Sequence, residues 1–149
     1  MKDEPGGRPL RTWRFPSRWG EEKRILADLK KLARLHGFPE YRAEDLASAA
    51  AEACLNAVEH GNGLEPDRRV VVTFAFRRGF AVVRVYDQGK GLAFDAAREP
   101  RKASIIEGSP RGWGIALMRE LADEVLFYHD ERGFCAELRF RAAKEERQA

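Results

Sequence analysis

Val85-Tyr86-Asp87-Gln88-Gly89-Lys90-Gly91-Leu92 is the stretch around which the rest of the chain is read. The β-branched and aromatic run that leads into it, residues 81–86, reads as a strand. The strand delivers one carboxylate, Asp87, and then breaks into Gly89 and Gly91. Glycines at that spacing permit turns that a Cβ forbids, and they let backbone approach a ligand closely. Two readings stay open. The segment is a hairpin or exit turn, or it is one wall of a site in which Asp87 reads a base and the glycines face phosphates. The second depends on two distant stretches, residues 52–56 and 112–114.

Outward from this strand toward the N-terminus, residues 70–76 read as its antiparallel partner, with a tight turn at 77–79. Before that hairpin lies a helix over about 43–60. Leu46, Ala49, Ala50, Ala53, Ala57 and Val58 form its core face, and Gly61-Asn62-Gly63 ends it. An earlier helix over about 19–36 carries an apolar stripe of Ile25, Leu29, Leu32 and Ala33 at helical spacing. Glu21 and Glu22 fall in its expected first turn and Lys30, Lys31 and Arg34 fall late, as the macrodipole favours. Ser17 is placed to cap it. Residues 10–15 alternate apolar and polar and read as a short edge strand.

Toward the C-terminus, residues 92–111 lose all periodicity apart from a short helical stretch near 94–98. A loop of that length in a compact domain is either functional or a solvated excursion. From Trp113 the helical period returns through Ile115, Leu117, Met118, Leu121 and Ala122. Two strands follow at about 125–129 and 134–140, joined by a turn at 130–133. The order is strand, helix, helix, strand, strand, loop, helix, strand, strand. It predicts an α+β two-layer sandwich: a mostly antiparallel mixed sheet with the helices on one face.

The chain has 149 residues, 44% hydrophobic and 34% charged, with a formal net charge of +3. That is one globular domain over 10–141, with a flexible start at 1–9 and a charged tail at 142–149. Lys and Arg are scattered, and no recognition helix concentrates them, which argues against direct nucleic-acid binding. No apolar run approaches the ~20 residues of a membrane span, and the start lacks a signal-peptide core. Cys54 and Cys135 each lie in an apolar segment and read as buried free thiols. These features point to a cytoplasmic protein without zinc.

Glu52 and Asn56 lie four apart on the second helix, so their side chains share one face. They form either a solvated pair or a site in which Asn56 offers an amide oxygen to a hard cation and Glu52 orients or deprotonates a hydroxyl. Magnesium suits such a site, because it accepts few protein oxygens and relies on phosphates and water for the rest. Gly112-Trp113-Gly114 stands where the third helix opens. It is an ordinary glycine loop or a backbone anion site with Arg111 adding a charge-assisted donor. His60, in a helix's last turn, suits the dipole or donates to a phosphate. Gly89-Lys90-Gly91 lacks the flanking residues of a P-loop.

Taken together, these segments resemble a known superfamily. Glu52-x-x-x-Asn56 with His60-Gly61-Asn62 resembles the N-box of GHKL ATPases, which share the Bergerat ATP-binding fold. Asp87-x-Gly89-x-Gly91 resembles their first glycine box, and Gly112-x-Gly114 their second. Within the superfamily, residues 12–141 look most like the bacterial anti-sigma factor serine kinases. The resemblance implies ATP and Mg2+ as cofactors, with Asp87 accepting from the adenine amino group. It implies that Asn56 holds the metal and that His60, Gly89, Gly91, Arg111, Gly112, Trp113 and Gly114 line the nucleotide. Residues 92–111 would then be the ATP lid, offering Arg98, Arg101 and Lys102 to phosphate, and Glu52 the catalytic residue that positions a substrate serine.

The resemblance also implies the partners: a sigma factor, an anti-anti-sigma protein of the STAS type as substrate, and a second copy of the chain meeting the 13–15 strand and first helix. Many relatives place a Gly-Thr step before the last strand. Here the sequence reads Gly133-Phe134-Cys135-Ala136, so that hydroxyl is missing. A non-catalytic, nucleotide-dependent protein-binding switch of the same fold is the alternative function. Histidine-kinase catalysis ranks lower, because no phosphoacceptor helix precedes the domain.

Overall fold

Strands built from β-branched and aromatic residues pair around the hairpin that carries Asp87. In the computed structural model, residues 8–88 and 110–143 are described, and for 110–113 only the backbone. Strand β2 (Arg69–Arg77) turns at Arg78 (φ 55°) and Gly79 (φ 85°) into β3 (Phe80–Asp87). Positive φ at both central residues gives a turn whose twist matches that of the strands. Edge strand β1 (Arg11–Pro16) pairs with β2, while β4 (Glu124–Asp130) and β5 (Gly133–Arg141) form a second hairpin whose β5 lies against β3. The sheet order is β1-β2-β3-β5-β4, and every described ladder is antiparallel.

One face of the sheet is apolar. Trp13, Val72, Val85, Ala136 and Phe127 run across it in register, followed by Phe74, Val83, Leu138 and Val125. Three helices cover that face: α1 (Lys23–Leu35), α2 (Glu40–Asn56) and α3 (Pro110–Leu121). Ile25, Leu29 and Ala33 of α1 and all six expected core residues of the second helix are buried in one cluster with the strands. Ile115 and Met118 of the third helix and Ala122 just after it are buried, whereas Leu117, in the same apolar run, is 38% exposed. The stripe is narrower than the run of apolar letters, because a 3.6-residue period carries consecutive positions onto different faces.

The starts of α1 and α2 both differ from expectation. α1 begins at Lys23, four residues late, because Gly20 (φ +91°) breaks the chain just before it and leaves Glu21 and Glu22 outside the first turn. Ser17 does not cap α1. It is buried, donating to the Arg68 carbonyl and accepting from Asn62, so it ties the end of β1 to the start of β2. α2 begins earlier than expected, at Glu40, directly after the extended Pro39.

The opposite face of the sheet buries a charge cluster. Arg84 Nε donates to Glu137 Oε1 at 2.9 Å, Arg139 Nε donates to Oε2 at 2.7 Å, and the Tyr128 hydroxyl donates to Oε1. Burial would raise the Glu137 carboxyl, but these three donors outweigh it and hold the group below the ordinary glutamate range. A depressed folded-state value means stability that is present above the unfolded value and lost as pH falls through the folded one. Melts from pH 6 down to pH 3 should therefore show a steeper loss of stability for the wild type than for Glu137→Gln.

Candidate nucleotide site

The second helix does not simply end at its glycines. After Asn56 it widens into a π-helical turn, Ala57–Gly61, closed by a bond from Asn62 N to Ala57 O at 2.8 Å. π-turns inside helices often sit at functional sites. This one follows the residue singled out for metal binding. It also carries Gly61 to the end of β3. A Cβ on Gly61 would overlap Asp87 Oδ2 and Cγ, so only glycine lets the buried carboxylate sit against this turn. Gly133, at φ +127°, plays the same part from the other side, because a Cβ there would overlap the Asp87 carbonyl oxygen.

Asn62 holds the arrangement. It is fully buried, and its Nδ2 donates to Ser17 Oγ at 2.8 Å and to the Arg69 carbonyl at 3.1 Å. Its Oδ1 accepts from the Gln88 N–H at 2.7 Å, one residue beyond Asp87. One side chain thus joins the end of β1, the start of β2 and the end of β3. Asn62→Ala leaves a buried N–H and carbonyl without partners, at roughly 1–3 kcal/mol per group. Denaturant unfolding is expected to show about 3 kcal/mol of destabilisation.

Asn56 and Asp87 line one small cavity between α2 and the sheet, together with Ala53, Met118, Phe127 and Phe134. Asn56 is 6% exposed, yet neither its Oδ1 nor its Nδ2 has a hydrogen-bond partner among the described residues. A buried amide with both ends unpaired costs several kcal/mol unless something else completes it. An amide oxygen in that state suits a hard cation such as Mg2+, and the amide nitrogen suits an anionic oxygen. Among the described residues no cluster of three or more His, Cys, Asp or Glu exists. A metal here would therefore draw most of its ligands from water and phosphate.

Glu52, one turn before Asn56 and partly exposed, reaches α3. A Cβ at Gly114 would lie 2.7 Å from Glu52 Oε1, so glycine there lets the carboxylate rest against the backbone of α3. Gly112 and Gly114 fall within the first two turns of α3, which opens at Pro110, earlier than the Trp113 start expected. The side chains of Arg111 and Trp113 are not described, and Gly89, Gly91, Arg98, Arg101 and Lys102 lie outside the described residues, as do residues 92–109 of the expected lid. His60 is on the exposed side of the π-turn, and partial burial lowers its pKa, which favours the neutral ring at pH 7. Phe134 stands directly across from Asp87 in the β3–β5 ladder. Its ring is parallel to that of Phe127 at 6.1 Å, so an aromatic wall occupies the place of the missing hydroxyl.

Comparison with known proteins gives the family and the fold. The family model for the histidine kinase-like ATPase domain matches residues 15–141. A serine-protein kinase RsbW of Bacillus velezensis is 35% identical over 102 residues, covering 65% of this chain and 64% of the relative. An anti-sigma F factor of Geobacillus thermodenitrificans is 30% identical over 83 residues, covering 55% and 57%. The matched segments thus span about three fifths of these relatives. Among solved structures, the RsbU and RsbW domains of a Mycobacterium tuberculosis protein superpose with a TM-score of 0.61 at 22% identity, over 91% of this chain and 33% of that one. At that identity the likeness is one of fold.

Proposed function

The chain belongs to the histidine kinase-like ATPase domain family, and from that premise we propose that it is an ATP-dependent anti-sigma factor. In this reading it binds a sigma factor and phosphorylates a serine or threonine on an anti-anti-sigma partner. The observation that carries the proposal is the buried, unpartnered amide of Asn56 in a cavity shared with Asp87. The names of the relatives, a serine-protein kinase and an anti-sigma factor, supply the substrate and partner classes. No described helix is long and apolar enough to cross a membrane. A cytoplasmic location follows from the proposed partners.

Asp87 accepts a hydrogen bond from the exocyclic amine of adenine and, as an acceptor, rejects the oxo group of guanine. The enclosed cavity measures about 10 Å3, room for one water. Base entry therefore requires Phe134 or Met118 to move aside, after which Phe134 and Phe127 offer aromatic faces to the purine. Asn56 Oδ1 would hold Mg2+, which when bound neutralises charge on the phosphates. Gly112 and Gly114 remove the side chain at two positions in the first turns of α3, where backbone N–H groups would face the phosphates. Glu52 accepts the proton of the substrate hydroxyl as its oxygen attacks the γ-phosphorus, the bond from the β–γ bridging oxygen to that phosphorus breaks, and ADP leaves. Positioning and charge stabilisation do most of the work in such a transfer, so one carboxylate beside the metal suffices.

Transfer of label from γ-labelled ATP to candidate anti-anti-sigma proteins tests the reading. A positioned base contributes about 10²–10⁴ in rate. Glu52→Ala should therefore reduce transfer at least ~100-fold while ATP affinity stays within about threefold. Tight ATP binding without transfer by the wild type would instead identify a nucleotide-dependent binding switch.

A further inference from the structure

The far face of the sheet, away from the helices, carries a second concavity at the same strand ends. Its volume is about 310 Å3, within the usual range for small-molecule sites. Val71 and Tyr86, cross-strand neighbours, form its floor, and Arg14, Arg69 and Arg132 stand around it. Arg14 and Arg69 make no side-chain hydrogen bond or ion pair with any described residue. Arg132 lies over the Tyr86 ring at 4.9 Å and is 3.7 Å from Asp130. The Tyr86 hydroxyl is buried and without a hydrogen-bond partner. Asp87 and Gln88 also line it, but the Asp87 carboxylate packs against Gly61, and Asp130 is the carboxylate paired to Arg132 at this rim.

Two guanidiniums without an ion pair among the described residues and a third shared with one acid surround a partly apolar floor. Guanidinium forks favour phosphate and carboxylate oxygens over other partners. We propose that this concavity is a binding site for a small organic anion. Its phosphate or carboxylate meets Arg14, Arg69 and Arg132, and its apolar body rests on Val71 and the edge of Tyr86. The site adjoins the nucleotide cavity at Asp87 but lies on the other face of β3, and it stands whether or not that cavity takes ATP.

Phenyl phosphate, which joins both features, is the probe, with inorganic phosphate for comparison. Isothermal titration of the full chain is expected to show saturable binding of phenyl phosphate at least ~10-fold tighter than inorganic phosphate. The double variant Arg14→Gln/Arg69→Gln should lose at least ~10-fold of that affinity with an unchanged melting temperature and unchanged ATP affinity. Asn56→Ala, at a residue that lines the nucleotide cavity and not this one, should retain phenyl phosphate binding. The proposal is overturned if the wild type shows no saturable binding, if the double variant binds as the wild type does, or if Asn56→Ala abolishes binding and so assigns the probe to the nucleotide cavity.

Discussion

Asp87→Asn is expected to weaken ATP binding about 100-fold and to narrow or reverse the preference for ATP over GTP. The carboxylate is 4% exposed and wedged against Gly61, so an asparagine of the same shape occupies the same place. A hydrogen bond to a charged acceptor contributes about 1.5–3 kcal/mol, and turning the acceptor into a donor leaves the adenine amine opposed by a like group. A loss of about 3 kcal/mol corresponds to roughly 100-fold in affinity. The same amide can donate to the oxo group of guanine, so GTP gains where ATP loses. Titration calorimetry with both nucleotides reads the two effects, and a thermal melt of each sample separates them from loss of fold. Equal affinities in wild type and variant would remove Asp87 from the site.

Much of this site was legible because its parts repeat simple rules. A β-branched run ending in one acid, a glutamate and an asparagine one helical turn apart, and glycines where a helix opens were each visible in the letters. Their order suggested that they meet. What the letters hid was how they are held. Gly61 reads as a helix terminator and, by resemblance, as part of a motif, but nothing local says that a carboxylate 26 residues later packs onto its Cα. Asn62 read as part of the same stop signal, although its three hydrogen bonds reach Ser17, Arg69 and Gln88. Ser17, next to a helix start, was assigned to a local cap when a long-range bond to β2 took it instead. Local rules hold until a tertiary partner of similar strength competes, and polar residues at element ends are where that happens most. Phe134 was noted only for the hydroxyl it lacks. Its stacking on Phe127 follows from strand register, which no single segment encodes.

The largest loss of stability is expected from Arg42→Ala, a residue that sequence reasoning passed over as one of many surface-type cations. Its side chain is fully buried. Nε donates to the Arg141 carbonyl at 3.0 Å, and Nη1 donates to the Leu121 carbonyl at 2.9 Å and to Asp45 at 3.0 Å. Nη2 donates to Asp123 at 2.7 Å, and the guanidinium lies over the Phe140 ring at 5.2 Å. One side chain thus fastens α2 to the end of α3 and to β5. Removing it leaves the nearly buried Asp123 and two carbonyls with fewer partners and opens a cavity as large as the lost stem. Breaking a buried ion pair from one side costs about 3–5 kcal/mol, because the remaining charge stays in a poor environment. For a chain of this size that amounts to a fall of roughly 10 °C in melting temperature. Asp45→Asn, at a carboxylate 23% exposed, should cost far less, because water replaces the lost pairing. The effect should also reach the site. Glu52 meets Gly114 only while α2 and α3 keep their spacing, so transfer by Arg42→Ala, measured well below its melting temperature, should fall more than its ATP affinity. A variant that melts lower but transfers phosphate normally would separate this buried arginine from the catalytic geometry.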